Sequence, residues 1–271
     1  MNPKLDEKRY LYSAEHRDEE ELSRLRLQES IIDPSTIRHL KAIGVSKDWR
    51  CLEVGAGAGS ITNWLLQQVG LAGTVVVTDV DTRFLQWLNN NSNLEIRCHD
   101  ILKDELEQGV YDLVHCRKLL HHLSDPEKAV QKMGAAVRPG GWILLEEDDF
   151  GSTLSADVTD PAATEYTSAM RALCDSLRNR GIADYYIGRR VRDFVEALGF
   201  IDVSQDGWTL MVRGGDPMAQ FYEMSASTIQ SLVTQEVITQ EQYNTLFRAL
   251  LDPDFNRPEY TIFSAWGRKP S

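Results

Sequence analysis

The residues best suited to chemistry are the run Leu52-Glu53-Val54-Gly55-Ala56-Gly57-Ala58-Gly59-Ser60 and an aspartate beyond it, Asp79. The run leaves the start of an apolar strand and enters a helical segment, ITNWLL. Glycines at such a junction let the backbone turn tightly and approach a ligand without Cβ clashes. Glycines alone are weakly specific. Asp79 adds weight because it ends a second apolar run, TVVVT, 20 positions after Gly59, where a carboxylate can accept hydrogen bonds from ribose hydroxyls. Together the two features point to an adenosine-containing ligand.

Two ligands of that kind compete. A nicotinamide dinucleotide wants GxGxxG with a helix N-terminus presented to pyrophosphate. Here the loop reads GxGxG, and Glu53 stands two positions before its first glycine. A carboxylate aimed at the ligand repels pyrophosphate but complements the cationic, amine-bearing methionine end of S-adenosylmethionine. Charge therefore favours the second ligand, and a nicotinamide-dependent dehydrogenase is the remote rival.

Groups able to move a proton follow further along. His121 and His122 lie just past the run YDLVHC. A histidine there can take a proton from a hydroxyl or amine near neutral pH, although either one reads equally well as a satisfied helix-start residue. Glu146, Glu147, Asp148 and Asp149 crowd the end of WILLEE. One of them, with Glu147 the choice, can orient a cationic or hydroxylated acceptor; metal ligation and plain capping are the alternatives. His121 and Glu147 are the catalytic candidates, and no metal is assigned.

These residues need elements to hold them. From Arg50 onward short Val/Ile/Leu runs alternate with helical segments: CLEVG, ITNWLLQQVG, TVVVTDV, TRFLQWLNN, LEIRCHD, YDLVHC, PEKAVQKMGAAV and WILLEE. That alternation predicts βαβ units, a parallel sheet, and right-handed crossovers that gather the strand C-terminal ends on one edge. The expected fold is α/β: a doubly wound, seven-stranded, mostly parallel, Rossmann-like sheet with an N-terminal helical extension and helical insertions. Its parts are a helical lid over 1–45 that Asp33-Pro34 punctuates, a core over 46–150, and a completing segment over 151–271. In the last, the helical pattern ATEYTSAMRALCDSLRNRG and a second insertion over 216–251 read as substrate lids, with Gly199 closing a helix between them and the last two strands forming a hairpin-like pair at the sheet edge. Gly140-Gly141 after Pro139 reads as a turn into the fifth strand.

Composition bounds the rest. A chain of 271 residues can bury roughly 70–75% of its unfolded surface in one core with a sub-domain. No run of about 18 apolar residues is present to span a bilayer. The N-terminal MNPKLDEKRYLYSAEHRDEEE lacks the apolar core of a signal peptide, so the cytoplasm is the expected compartment. Cys51, Cys98, Cys116 and Cys174 form no CxxC pair, and the first three fall in or beside runs that read as buried strands, so neither disulfides nor zinc are expected. A net charge of −12 repels polyanions, which argues against nucleic acid and for a small or protein-sized neutral substrate. The oligomeric state is open, a homodimer included.

Glu53-Val54-Gly55-Ala56-Gly57-Ala58-Gly59, Asp79, His99-Asp100-Ile101, Tyr111-Asp112-Leu113-Val114 and Arg138-Pro139-Gly140-Gly141 resemble the class I S-adenosylmethionine-dependent methyltransferases over about residues 50 to 150. HCRKLLHHLSDPEKAV followed by RPGGWILLEEDDF is similar to the bacterial small-molecule enzymes of ubiquinone/menaquinone-biosynthesis and natural-product type. The resemblance implies that Gly55, Ala56 and Gly57 wrap the methionine moiety with Glu53 nearby, that Asp79 binds the ribose, and that Val80 lines the adenine. It implies that Asp100 accepts from the adenine amino group while Ile101 packs on the ring, and that Cys116 and Arg117 supply backbone contacts beneath the sulfonium. Tyr10-Leu11-Tyr12-Ser13 and the run ending at Gln28 resemble a donor lid, with Gln28 as a contact to the methionine carboxylate. The implied activity is methyl transfer to an oxygen, nitrogen or carbon of a small metabolite. A cyclase that uses the donor's charge, or a non-catalytic binding protein on the same fold, are the rivals. From the residues alone Asp100 can equally cap a turn, Cys116 reads as a small buried hydrophobe, and Asp112 is expected to bind backbone at its strand start.

Overall fold

The computed structural model describes residues 18–153 and 159–271. The expected lid residues Tyr10 to Ser13 lie outside them. The elements run α1 (Asp18–Ile43), β1 (Arg50–Val54), α2 (Ser60–Val69), β2 (Thr74–Asp79), β3 (Leu94–Cys98), β4 (Tyr111–Arg117), α3 (Pro126–Ala136), β5 (Val137–Asp149), α4 (Pro161–Asn179), α5 (Val191–Ala197), β6 (Ile201–Val212), α6 (Pro217–Met224), α7 (Ala226–Thr234), α8 (Gln240–Leu251) and β7 (Arg257–Arg268). The seven strands form one sheet in the order β3-β2-β1-β4-β5-β7-β6. The pairs β1/β2, β1/β4, β2/β3 and β4/β5 are all parallel, as the βαβ pattern requires. β7 runs against β5, because Gly141 bonds Lys269 near one end and the Ser264 hydroxyl meets Glu146 further along. No described helix is long and apolar enough to cross a membrane.

The described chain divides into two compact units. One takes in 32–147, 188–207 and 263–271. It is built where the sequence is most apolar: Val75, Val77, Leu113 and Leu144 from the strands pack with Ile61, Leu65 and Val69 of α2 and Leu40 of α1. Each such side chain, taken wholly out of water, contributes about 1.5–3 kcal/mol. The other unit takes in 18–31, 148–153, 159–187 and 208–262. There α4, α6, α7 and α8 pack together, with Leu177, Leu232, Val237 and Ile238 at the centre of one cluster. It also buries an Arg257–Glu259 pair on β7, and the Tyr222 hydroxyl donates to Glu259 at 2.8 Å.

Five local expectations are corrected. Asp33-Pro34 does not end the first helix; Pro34 lies inside α1, whose following turns bury Thr36, His39, Leu40 and Ile43, so packing outweighs the lost backbone hydrogen bond. TRFLQWL forms a 3-10 helix, Thr82–Leu88, rather than an α-helix. Cys98 is exposed, because β3 is an edge strand with no partner on its outer side. Pro139-Gly140-Gly141 lies within β5 instead of preceding it. The strand already pairs at Val137 with Tyr111 and bulges before Trp142 meets Leu113, and Gly140 takes φ 74 in that bulge. The last two strands are neighbours, but the helices α6 to α8 join them and β7 is the inner of the two.

Candidate active site

Parallel register sets the carboxyl ends of the first strands side by side: Val54 opposite Thr78 and Cys116, Asp79 opposite Cys98, Arg117 opposite Glu146. Glu53, Asp79, Cys116 and Arg117 are thereby brought to one sheet edge, where open α/β sheets bind ligands. The glycine loop leaves the same edge. Gly55, Gly57 and Gly59 all have positive φ, at 76, 59 and 87°. At Gly59, which precedes α2, a Cβ would also stand 2.8 Å from both Leu85 and Leu88. Gly59→Ala should therefore combine left-handed strain with overpacking and lose about 2–4 kcal/mol of stability, read as a lower urea midpoint.

Three contacts hold the loop. The Gly57 amide donates to Asp79 Oδ2 at 3.0 Å, the Trp87 indole donates to the Ala58 carbonyl at 2.9 Å, and the Ser60 hydroxyl donates to Asp33 Oδ1 at 3.0 Å. Asp79 also accepts from the Asp81 amide at 2.9 Å. Burial nevertheless pushes the Asp79 carboxyl up to about 6, against those backbone donors. Val80 and Trp87 are large apolar residues left exposed. Asp100 accepts from the Leu102 amide at 3.0 Å and pairs with Lys103, so its side chain caps a turn, while Ile101 is buried. Cys116 is fully buried, and burial pushes its thiol well above the usual range. Asp112 accepts from the Arg50 amide at 2.7 Å, the backbone role expected of it.

Arg117 does more than its backbone role implies. Its guanidinium donates to Thr36 Oγ1 and Asp33 Oδ1, both at 2.9 Å, and so ties α1 to the end of β4. Since Asp33 also receives Ser60, one carboxylate links α1, α2 and β4. Gln28 lies half-buried on α1 in the helical unit.

Beneath the loop lies a buried polar network. Thr62 donates to Glu53 Oε2. Glu53 Oε1 stands 3.6 Å from His115 Nδ1, and His115 Nε2 is 3.3 Å from Glu146 Oε2. Glu146 Oε1 then meets His39 Nδ1 at 3.0 Å and accepts from the Ser264 hydroxyl at 2.6 Å. His39 Nε2 reaches Asp206 at 3.3 Å, and Arg38 pairs with the same carboxylate at 2.8 Å. Burial alone would lower the His115 value, but Glu146 and Glu53 outweigh it and hold the ring above its ordinary 6.5. Burial would raise Glu146, yet its bonds to His115 and His39 keep it well below the usual carboxylate value of 4.5. The raised histidine stabilises the fold fully below 6.5 and loses that contribution as pH rises through its folded value. The depressed glutamate stabilises above 4.5 and loses its contribution as pH falls. This pair should therefore stabilise most between 4.5 and 6.5, and His115→Gln should flatten the alkaline fall in a series of thermal melts.

The catalytic candidates His121 and Glu147 come together. Lys118, at φ 54, turns the chain after β4 into a short 3-10 helix, Leu120–His122. Glu147 Oε1 accepts from the Leu119 and Leu120 amides at 2.7 and 2.5 Å, and Oε2 meets His121 Nδ1 at 2.7 Å. Glu147 is wholly buried and His121 nearly so. Both Glu147 oxygens are thus engaged by groups of this chain, His121 among them. Thr62, Trp87, His115 and Asp33 were not anticipated as site residues. Among the described residues no group of three or more His, Cys, Asp or Glu is arranged to hold a metal.

A family model described as a methyltransferase domain matches residues 14–205, well over half of the chain. The chain belongs to this methyltransferase family. Among curated relatives, Methyltransferase str2 of Strobilurus tenacellus is 24% identical over 181 residues, covering 66% of this chain and 63% of that protein. The ubiquinone biosynthesis O-methyltransferase of Bordetella avium is 27% identical over 99 residues, covering 35% of this chain and 41% of that one. The chain thus spans less than two thirds of the length of either. Among solved structures, the Haemonchus contortus phosphoethanolamine N-methyltransferase 2 complex shares the fold with a TM-score of 0.53 at 16% identity, covering 88% of this chain and 53% of that one. The Rossmann-like sheet expected from the alternating runs is the one the chain adopts, and it is shared with methyltransferases of known structure.

Proposed function

We propose that this chain binds S-adenosylmethionine and transfers its methyl group to an oxygen, nitrogen or carbon atom of a small metabolite. The observation that carries the reading is the glycine loop with left-handed φ at three positions, set between Glu53 and Asp79 and bonded to Asp79 through the Gly57 amide. The donor set fits an adenosine-bearing cation: carboxylates for hydroxyls and an ammonium, a close backbone, and no basic side chain in the loop to meet a pyrophosphate. The Haemonchus relative solved with S-adenosylhomocysteine agrees with that fit. When bound, the sulfonium supplies an already activated methyl group.

The residues of this chain then have limited work. Gly55, Ala56 and Gly57 hold the methionine end, with Glu53 nearby. Asp79 takes the ribose, while Val80, Asp100 and Ile101 bound the adenine, and Cys116 and Arg117 lie under the reacting centre. Alignment of donor and acceptor supplies most of the rate. Where the acceptor has a proton to lose, His121 receives it. With Nδ1–H donated to Glu147, a neutral ring carries its lone pair on Nε2. The unpaired state of all four cysteines suits a reducing cytoplasm, which we propose as the compartment.

The first test is calorimetric titration of the purified chain with S-adenosylmethionine, S-adenosylhomocysteine and NADH. Micromolar binding of the first two alone is expected. Binding of NADH alone would overturn the proposal. With an acceptor in hand, a product heavier by one methylene separates methyl transfer from a cyclase that returns its donor unchanged.

A further inference from the structure

His115 lies between two carboxylates: its Nε2 is in hydrogen-bond reach of Glu146 on β5 at 3.3 Å, while its Nδ1 faces Glu53 on β1 at 3.6 Å, an ion-pair separation at which it makes no hydrogen bond. A neutral imidazole can donate to Glu146 alone, whereas an imidazolium also carries the charge and the second N–H that attract Glu53. The ring is wholly shielded from solvent, as is Glu146, and Glu53 is nearly so. Charges buried this deeply are kept only when paired. Glu53 is also the group proposed to receive the donor's ammonium, so the histidine and the ligand draw on one carboxylate.

We propose that His115 is a positioning residue for donor binding: protonated, it holds Glu53 from behind and competes with the donor's ammonium, so that donor affinity depends on the charge of this ring. The proposal rests on the reading of Glu53 as the ammonium's partner. The charged and titratable groups around the ring come from every element packed against it. They are Glu53 from β1, Glu146 from β5, Cys116 and Arg117 beside it on β4, and, beyond Glu146, His39 and Arg38 from α1 and Asp206 from β6. Thr62 and Ser264 add neutral hydroxyls to Glu53 and Glu146. Asp206, at the far end of these contacts, reaches solvent with a side chain 36% exposed. Hence the donor pocket's carboxylate is linked through two histidines to the surface. Burial opposes the charged ring and the two carboxylates favour it, and the carboxylates prevail in holding the ring above its ordinary value. By linkage, a cation arriving at Glu53 must lower the ring's proton affinity by the same factor as the proton weakens the cation.

The test is titration with S-adenosylhomocysteine from about pH 6 to 9 on the wild type and on His115→Gln, a range that brackets the ordinary histidine value. The ligand's own amine and Asp79 both titrate within or near this range, and both are common to the two proteins, so the ratio of dissociation constants isolates His115. The wild type should bind more weakly than the variant at the acid end. The ratio should fall about tenfold across the range, as it must if the bound ligand lowers the ring's proton affinity by about that factor. A flat ratio overturns the inference. Should His115→Gln fail to fold, wild-type protein labelled with 15N-histidine decides it. The His115 ring should titrate above 6.5 in the free protein, and its midpoint should drop when S-adenosylhomocysteine is added. A ring that titrates at or below 6.5, or a midpoint the ligand does not move, overturns the inference while leaving the donor reading intact. No binding at any pH removes both.

Discussion

Asp79→Ala should weaken S-adenosylmethionine binding at least tenfold. Loss of a bidentate ribose contact costs about 1.4 kcal/mol or more, and the Gly57 amide loses its acceptor in the same change. The effect has a pH counterpart. Burial holds the carboxyl at about 6, so a ligand that needs the ionised form competes with a proton, and affinity of the wild type should fall as pH drops below about 6. Asp79→Asn, which keeps the size and cannot titrate, should bind weakly at every pH with no such fall. Stability responds in the opposite direction: the value lies above the ordinary 3.8, so the ionised form is a cost at neutral pH that protonation relieves. Asp79→Asn should therefore melt higher than the wild type near about pH 7. Titrations and melts of the three proteins between about pH 5 and 8 check both statements. Unchanged affinity in Asp79→Ala would remove Asp79 from the site.

The second large effect is at Glu147. Glu147→Ala leaves the Leu119 and Leu120 amides and the His121 ring without their shared acceptor. Orphaned donors in a dry interior cost about 1–3 kcal/mol each, so a loss of about 3–5 kcal/mol is expected in chemical unfolding. Glu147→Gln separates structure from chemistry. The amide oxygen can still serve the two backbone donors, but its NH2 then faces His121 Nδ1 and selects the tautomer whose Nε2 already carries a hydrogen. Turnover should fall by about 10²–10⁴, the usual worth of a positioned base, while the donor dissociation constant moves little. Wild-type turnover in Glu147→Gln would exclude proton transfer through His121.

What the sequence made legible, and what it hid, divides by the range of the signal. Gly55, Gly57 and Gly59 and the aspartate ending the next strand could be read because spacing along a βαβ unit dictates their meeting. His115 could not. YDLVHC reads as one buried apolar run, and nothing local marks a histidine in it whose partners lie 62 residues back and 31 ahead. His39 meets Glu146 across 107 positions. Local signals also misled. Asp33-Pro34 carries the marks of a helix end, yet Asp33 is needed inside the helix as the acceptor for Ser60 and Arg117. Pro139-Gly140-Gly141 has turn chemistry, and the sheet uses it as a bulge.

The place of β7 bears on how the molecule comes into being. It is the last of the seven strands to leave the ribosome, yet it sits inside the sheet, between β5 and β6, and its Ser264 hydroxyl completes the partners of Glu146. Until it is made, β5 presents an open edge of apolar residues and an acidic side chain short of a donor, and β6 has no neighbour to pair with. The nascent chain can thus assemble β1 to β5 early but cannot close its sheet until the residues from Arg257 onward have emerged. A ribosome stalled before that point would hold an unfinished edge, the kind of surface chaperones and proteases recognise.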